Sequence, residues 1–138
     1  MPRTALLACL LLLTACAGGP RLDTSGVMVS VTPDQAAAEM PRLEGTRVLW
    51  GGTILSAVNR EETTRLEVLA YPLDDRQRPR TGKDAGHRFV AIHEGYLETA
   101  DYSPGRQVTV KGPLVGKREG EVGEAPYTYP VMEAEEIH

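Results

Sequence analysis

The sequence predicts an all-β domain: a small, highly curved antiparallel barrel of about five strands, preceded by one short helix. Three observations point there. After Pro41 apolar residues recur with a period of two in several short runs, and polar loops rich in glycine and proline separate those runs. The first run is also interrupted by Gly51-Gly52, which suits a strand that bends sharply or bulges. Strong curvature, few strands and long variable loops fit an OB-like barrel better than a flat sandwich. Periodicity alone does not separate the two, because both bury alternating faces of short strands.

The helix comes first. Thr32-Pro33-Asp34-Gln35 offers an N-cap threonine, proline at the first helical position and glutamine at N3, the pattern of a capping box. Ala36 to Met40 continue the helix, and Pro41 ends it. In RVLWGGTILSAV, Val48, Trp50, Ile54 and Ser56 are expected on one face and Leu49, Thr53, Leu55 and Ala57 on the other. Asn59 to Glu62 turn the chain into TTRLEVLAYPL, where Leu66, Val68 and Ala70 alternate with Arg65, Glu67, Leu69 and Tyr71, so the two runs read as a hairpin. Asp74 to Gly86 reads as a polar loop and His87 to His93 as a shorter strand. RQVTVKGPL follows as a strand broken at Gly112-Pro113, Lys117 to Pro126 as a charged loop, and YTYPVMEAEEI as the closing strand.

The N-terminus carries an address. Arg3 precedes an apolar segment, Ala5 to Leu13, that is much shorter than the roughly 20 residues a membrane span requires but suits a signal peptide. Leu13-Thr14-Ala15-Cys16 resembles the lipobox of bacterial lipoproteins. That resemblance implies a diacylglycerol on the Cys16 thiol, cleavage between Ala15 and Cys16, and acylation of the new amino group. One acyl chain holds a protein only marginally, so three would anchor it firmly. The expected organisation is a signal peptide over 1–15, a lipidated flexible tether over 16–31 and the barrel over 32–138. Ala17 rather than aspartate after the anchor resembles the sorting signal for the outer membrane, with the domain on its periplasmic face.

Cleavage would leave 14 basic and 19 acidic side chains, a formal charge of −5. That balance argues against nucleic acid as a partner and against attraction to an anionic lipid surface, since clustered Lys and Arg supply most of the attraction in both cases. Cys9 and Cys16 are the only cysteines, so once one is cleaved off and the other lipidated, no thiol remains for a disulfide or a nucleophile.

The sequence points to no catalytic residues, no metal ligands and no cofactor. His87 and His93 lie about 20 Å apart along one extended strand, too far to share a metal, and His138 could join only through folding. GPLVGKREG departs from a phosphate loop in spacing, in its internal proline and in having arginine where serine or threonine is required. Glu61-Glu62 and Glu135-Glu136 are adjacent in the sequence, and neighbours on a strand point to opposite faces, so both pairs read as solvated surface. Ser25, Ser30, Ser56 and Ser103 sit in no nucleophile elbow. Aromatic residues are the better candidates: Trp50, Tyr71, Tyr127 and Tyr129, with Tyr96 and Tyr102 nearby if the barrel closes, could line a ligand or partner surface together with Arg88 or Arg106.

Taken together, VLWGGTILSAVN, TRLEVLAYPLD, RPRTG, GHRFVAIHEGYLETADYSPGRQVTVKGPLVG and EGEVGEAPYTYPVMEAEEIH resemble the Slp family of outer-membrane lipoproteins, named for induction on starvation. The fragments run in order through nearly all of the mature domain. The family commonly reads Gly-Arg-Phe and Leu-Asp-Pro where this chain has Gly86-His87-Arg88-Phe89 and Leu97-Glu98-Thr99, departures that fall at loop edges. The resemblance implies an envelope lipoprotein of stationary-phase or stress conditions and brings no catalytic residues with it. The leading expectation is a non-enzymatic lipoprotein that binds an envelope protein or glycolipid under starvation or acid stress. A structural accessory subunit of an envelope complex is the alternative, and a cell-wall or lipid hydrolase is the least supported.

Overall fold

The computed structural model describes residues 21–138. The signal peptide, Cys16 and the first residues of the expected tether lie outside the described residues.

Thr32 stands at the N-cap of helix α1 (Pro33–Glu39), and its backbone N–H donates to Gln35 Oε1 at 3.3 Å, the return half of the capping box. Six strands follow: β1 (Arg47–Asn59), β2 (Thr63–Tyr71), β3 (Arg88–Glu94), β4 (Gln107–Val122), β5 (Ala125–Glu133) and the two-residue β6 (Glu136–Ile137). The first five form a closed ring in the order β1-β2-β3-β5-β4, which shuts when β4 pairs back onto β1, while β6 adds to β4. The ring meets the expectation of a small, curved five-strand structure. One pairing departs from the all-antiparallel expectation: β3 and β5 run parallel, with Val90 opposite Val131 and Ile92 opposite Glu133. Local periodicity says nothing about direction, which is decided by how the chain between two strands crosses the ring.

β1 can pair on both sides because of its glycines. Gly51, Gly52 and Thr53 are paired with Tyr71, Ala70 and Leu69 of β2 and with Thr109, Val108 and Gln107 of β4. A Cβ on Gly52 would lie 1.9 Å from the Leu69 carbonyl oxygen, so the glycine is required by the approach of a neighbouring backbone. The bulge expected at this pair instead falls between Ile54 and Ser56, where Ser56 pairs with Glu67 and Leu55 is the extra residue. The slip reverses the faces, so Ala57, and not Ser56, packs against the core.

The later part of the chain also corrects the expectation. Gly112-Pro113 does not break the strand, since β4 runs through it and pairs with Val48 and Arg47 of β1. Lys117 to Pro126 is a long hairpin rather than a charged loop: Lys117 pairs with Pro130 and Val122 with Ala125, and Gly123 turns at φ +62°. Its charged residues are those of a ribbon extending beyond the core, a pattern that composition does not distinguish from a loop.

Inside the ring, Val48, Ile54, Leu66, Val68, Phe89, Val108, Val110, Leu114 and Met132 are buried. Each large apolar side chain so buried contributes about 1.5–3 kcal/mol. Val31, Ala36, Met40 and Leu43 from the helix and its flanks belong to the same cluster and close one end. Leu97 and Tyr102 of the β3–β4 connection pack at the other, where the Leu97 N–H donates to the buried Thr64 hydroxyl at 3.0 Å.

The segment expected as a tether is fastened to this ring from Leu22 onward. The Gln77 side-chain amide exchanges two hydrogen bonds with the Leu22 backbone, at 2.8 and 2.9 Å, imitating a strand pairing. Lys111 Nζ donates to the Asp23 carbonyl at 2.9 Å, and the Met28 N–H donates to the Arg47 carbonyl at 2.9 Å. Finally, Trp50 Nε1 donates to the Val31 carbonyl at 2.8 Å. Val27, Val29 and Val31 alternate in the sequence, which is the signal that this stretch has apolar surface to place.

Candidate binding cleft

The four candidate aromatics separate into two pairs. Trp50 is only 5% exposed, points into the ring and meets Phe89 edge-on at 5.1 Å between ring centroids. One wall of its indole nevertheless borders a cleft of about 540 Å³ that Tyr71 also lines. The N-terminal segment on one side and β1, β2 and the β2–β3 loop on the other enclose it. Val29, Leu49 and Leu73 supply apolar surface, while Asp34, Gln77 and His87 supply polar groups at its edges. Its size lies within the range of small-molecule sites, roughly 300–1,000 Å³, and its apolar walls with a few polar groups fit that description.

Gln77 lines the cleft on the loop side and fastens the N-terminal segment there. It is the one non-glycine residue with positive φ among the described residues, at +62°. A left-handed conformation costs such a residue about 1–2 kcal/mol. Three hydrogen bonds offset that cost: the two to Leu22, and one from the Thr109 hydroxyl to the Gln77 carbonyl at 2.6 Å. The turn before it is tied by Asp74, whose carboxylate accepts from the Arg78 and Arg76 N–H groups. Those bonds, Arg78 first, hold the Asp74 carboxyl below the usual carboxylate range. Nothing in composition or periodicity singles out Gln77; its role follows from the folded approach of segments 55 residues apart.

Tyr127 and Tyr129 lie elsewhere, 4.8 Å apart between ring centroids, beside Val90, Val131 and Ile92. Tyr127 stacks on His87 at 4.4 Å, and its hydroxyl accepts from the Arg88 N–H at 2.7 Å. His87 thus touches both regions, with Nε2 2.6 Å from the Thr128 carbonyl. Tyr129 is 7% exposed, and burial, followed by its contact with Glu67, pushes its hydroxyl up from the ordinary value. It borders a smaller hollow of about 220 Å³ containing Arg65, Arg118, Glu67 and Glu121. Burial there lowers Arg65 from its ordinary value, and the like charge of Arg118 adds to this. Arg88 pairs with Glu67 at 3.6 Å on this face, whereas Arg106 belongs to the turn at the start of β4, its carbonyl accepting from the Ile54 N–H.

Among the described residues no three His, Cys, Asp or Glu side chains converge as metal ligands, and no helix is long and apolar enough to cross a membrane. His93 lies at the far end of β3, opposite Thr64, with Nδ1 buried and unpaired.

The fold and cleft together define a small closed-ring β domain with a peripheral apolar site, displayed behind an N-terminal segment fastened to its surface. A family model described as the outer membrane lipoprotein Slp family matches residues 13–138, which include Leu13-Thr14-Ala15-Cys16, and the chain belongs to that family. It is accordingly an outer-membrane lipoprotein.

Similar proteins include the uncharacterized lipoprotein YeaY of Escherichia coli K12, 35% identical over 108 residues that cover 75% of this chain and 55% of YeaY. Outer membrane protein Slp of the same organism is 27% identical over 85 residues, 62% of this chain and 45% of Slp. An uncharacterized Haemophilus influenzae protein is 31% identical over 86 residues, 62% of this chain and 46% of that protein. The chain therefore spans about half the length of the curated relatives it matches.

Among solved structures, a small single-stranded DNA-binding protein from Streptomyces coelicolor aligns with TM-score 0.48 and 19% identity over 68% of this chain and 93% of its own. The Pot1pC domain of Schizosaccharomyces pombe bound to single-stranded DNA aligns with TM-score 0.35 and 11% identity over 81% of this chain and 83% of its own. Alignments this weak carry no information on what the present chain binds.

Proposed function

We propose that this outer-membrane lipoprotein is anchored through Cys16 and works as a non-catalytic binding module, holding an apolar envelope ligand in the cleft between Trp50 and Tyr71. A role in keeping the envelope sound under starvation or acid stress accords with the family resemblance of the sequence. The observation that carries the reading is the cleft itself, which has apolar walls and a rigid frame tied by Gln77 and Trp50. The names of the relatives, a lipoprotein and an outer membrane protein with no reaction stated, support the non-catalytic part.

Trp50 is the sole tryptophan, so its fluorescence reports the occupancy of the cleft. Titration with a neutral alkyl glycoside, kept below its micelle-forming concentration, should give a saturable shift of Trp50 emission. Leu73→Glu, which brings a charge to the apolar wall, should abolish the shift. An emission spectrum unchanged by a series of alkyl lengths, with no heat in calorimetry, would rule out the cleft as a ligand site.

The anchor has its own test. Cys16→Ser should leave an unprocessed precursor or a chain released from the membrane, and normal processing with full membrane retention would overturn the assignment of Cys16.

A further inference from the structure

We infer that the domain lies on the anionic lipid surface through one face, formed by the Met28-Val29 turn and the Arg76–Lys83 loop. The inference rests on the Cys16 anchor proposed above and goes beyond it, since an anchor alone leaves the domain free to present any side.

The turn is a pinned structure. Met28 N–H donates to the Arg47 carbonyl at 2.9 Å on one side, and the Val31 N–H closes the turn on the Met28 carbonyl at 3.3 Å. Val31 itself is buried and accepts from Trp50, so the chain is held at both ends of the turn. Between these pins Met28 and Val29 stand out, 52% and 67% exposed. Two adjacent apolar side chains held in water on a fixed turn, beside a cleft with apolar walls, form a surface suited to being covered.

The second component is the loop across the cleft. Arg76, Arg78, Arg80 and Lys83 place four cations in eight residues that contain no acid, and all four are exposed. Among the described residues none of them is in an ion pair. Asp74 is occupied by the Arg76 and Arg78 N–H groups, while Asp75 and Asp84 flank the run and offset part of its charge. A cationic run on a protein of net negative charge is a local feature that the overall balance conceals. Apolar side chains beside cations are the combination that binds the interface of an anionic bilayer.

Geometry joins the two to the anchor. Val29 and Gln77 line the same cleft, and Gln77, within the cationic run, grips Leu22. Leu22 is six positions beyond Cys16, a reach of at most about 20 Å when fully extended. Cations act on a lipid surface only within about 8 Å at physiological salt, and the short connection lets this loop come into that range more readily than the opposite end of the ring. The cleft mouth would then open toward the lipid, the side from which an apolar ligand would come.

The test uses the full-length lipidated protein in vesicles of phosphatidylethanolamine and phosphatidylglycerol, with or without bromine on the acyl chains. An environment-sensitive thiol probe is attached to Val29→Cys or, as a reference at the opposite end, to Tyr96→Cys, which replaces an exposed side chain in the β3–β4 connection. Brominated lipid should quench the probe at 29 and leave the probe at 96 bright. Combining Arg76→Glu, Arg78→Glu and Arg80→Glu with the probe at 29 should relieve the quenching while leaving the melting temperature unchanged, because all three side chains are exposed. Equal quenching at both positions, or none at 29, would overturn the proposed face while leaving the anchor intact. Labelling of the protein without an introduced cysteine would instead reveal an unprocessed chain with a free thiol at Cys9 or Cys16, and the anchor and this face would fall together.

Discussion

Phe89→Ala is expected to cost about 3–5 kcal/mol, the range for emptying a buried aromatic site. Phe89 is wholly buried at the start of β3, opposite Val68 of β2 in the strand register, with its ring against Trp50 at 5.1 Å. It stands between the N-terminal segment, which is fastened through Trp50, and the strands on either side. The space left by its removal cannot be refilled from the backbone, because the ring of strands is closed. A domain of this size has roughly 5–15 kcal/mol in all. The loss should therefore lower the melting temperature by more than about 10 °C in a circular-dichroism melt. Trp50 emission should shift to the red as its neighbour is lost, and a melting temperature within about 3 °C of the parent would show that Phe89 is not central to the core.

Gly52→Ala should be comparably damaging, at about 3 kcal/mol or more, at or beyond the top of the usual range for overpacking. Its added methyl group would meet the Leu69 carbonyl at 1.9 Å, and Leu69 belongs to a strand paired on both sides. A backbone so held cannot swing aside as a side-chain tip could. Gly112 is in the same position, with a Cβ contact of 1.7 Å to the Glu133 carbonyl. The matched control is Gly116→Ala, where the new methyl group would meet nothing within 4 Å and φ is not positive. That substitution should stay within about 0.5 kcal/mol in urea unfolding. Equal effects at Gly52 and Gly116 would refute the argument from close approach, since loss of glycine flexibility is common to both.

The two glycine positions also show how far the sequence could be read. A glycine pair inside an alternating run signals that something unusual happens to the strand, and it does. Whether it bulges, breaks or is pressed by a neighbour depends on which backbone crosses it, and that neighbour lies 17 residues away in β2 for Gly52 and 21 away in β5 for Gly112. The hairpin over Lys117–Val122 was obscured for a related reason. Its residues are charged because a ribbon projecting from the ring has little core to face, so the apolar half of the alternation is missing.

The candidate site was legible only in part. Of the aromatic candidates, Trp50 and Tyr71 line one cleft, whereas Tyr127 and Tyr129 pack on the outer side of β3 and β5. Cleft-lining Gln77 and Val29 were not singled out, because one is an ordinary loop residue and the other lay in what read as a tether.

The sequence by itself determined most of the strand-forming runs, the capped helix, and the family with its outer-membrane location, because each is written in neighbouring residues: a period of two, a cap and its partner three positions on, ordered family fragments. Tertiary structure alone decided the parallel β3–β5 pairing, the closure of β4 onto β1, the docking of residues 22–31 and the cleft that this docking encloses. These features depend on contacts between segments distant in the chain, whose free energy exists only once the ring has closed.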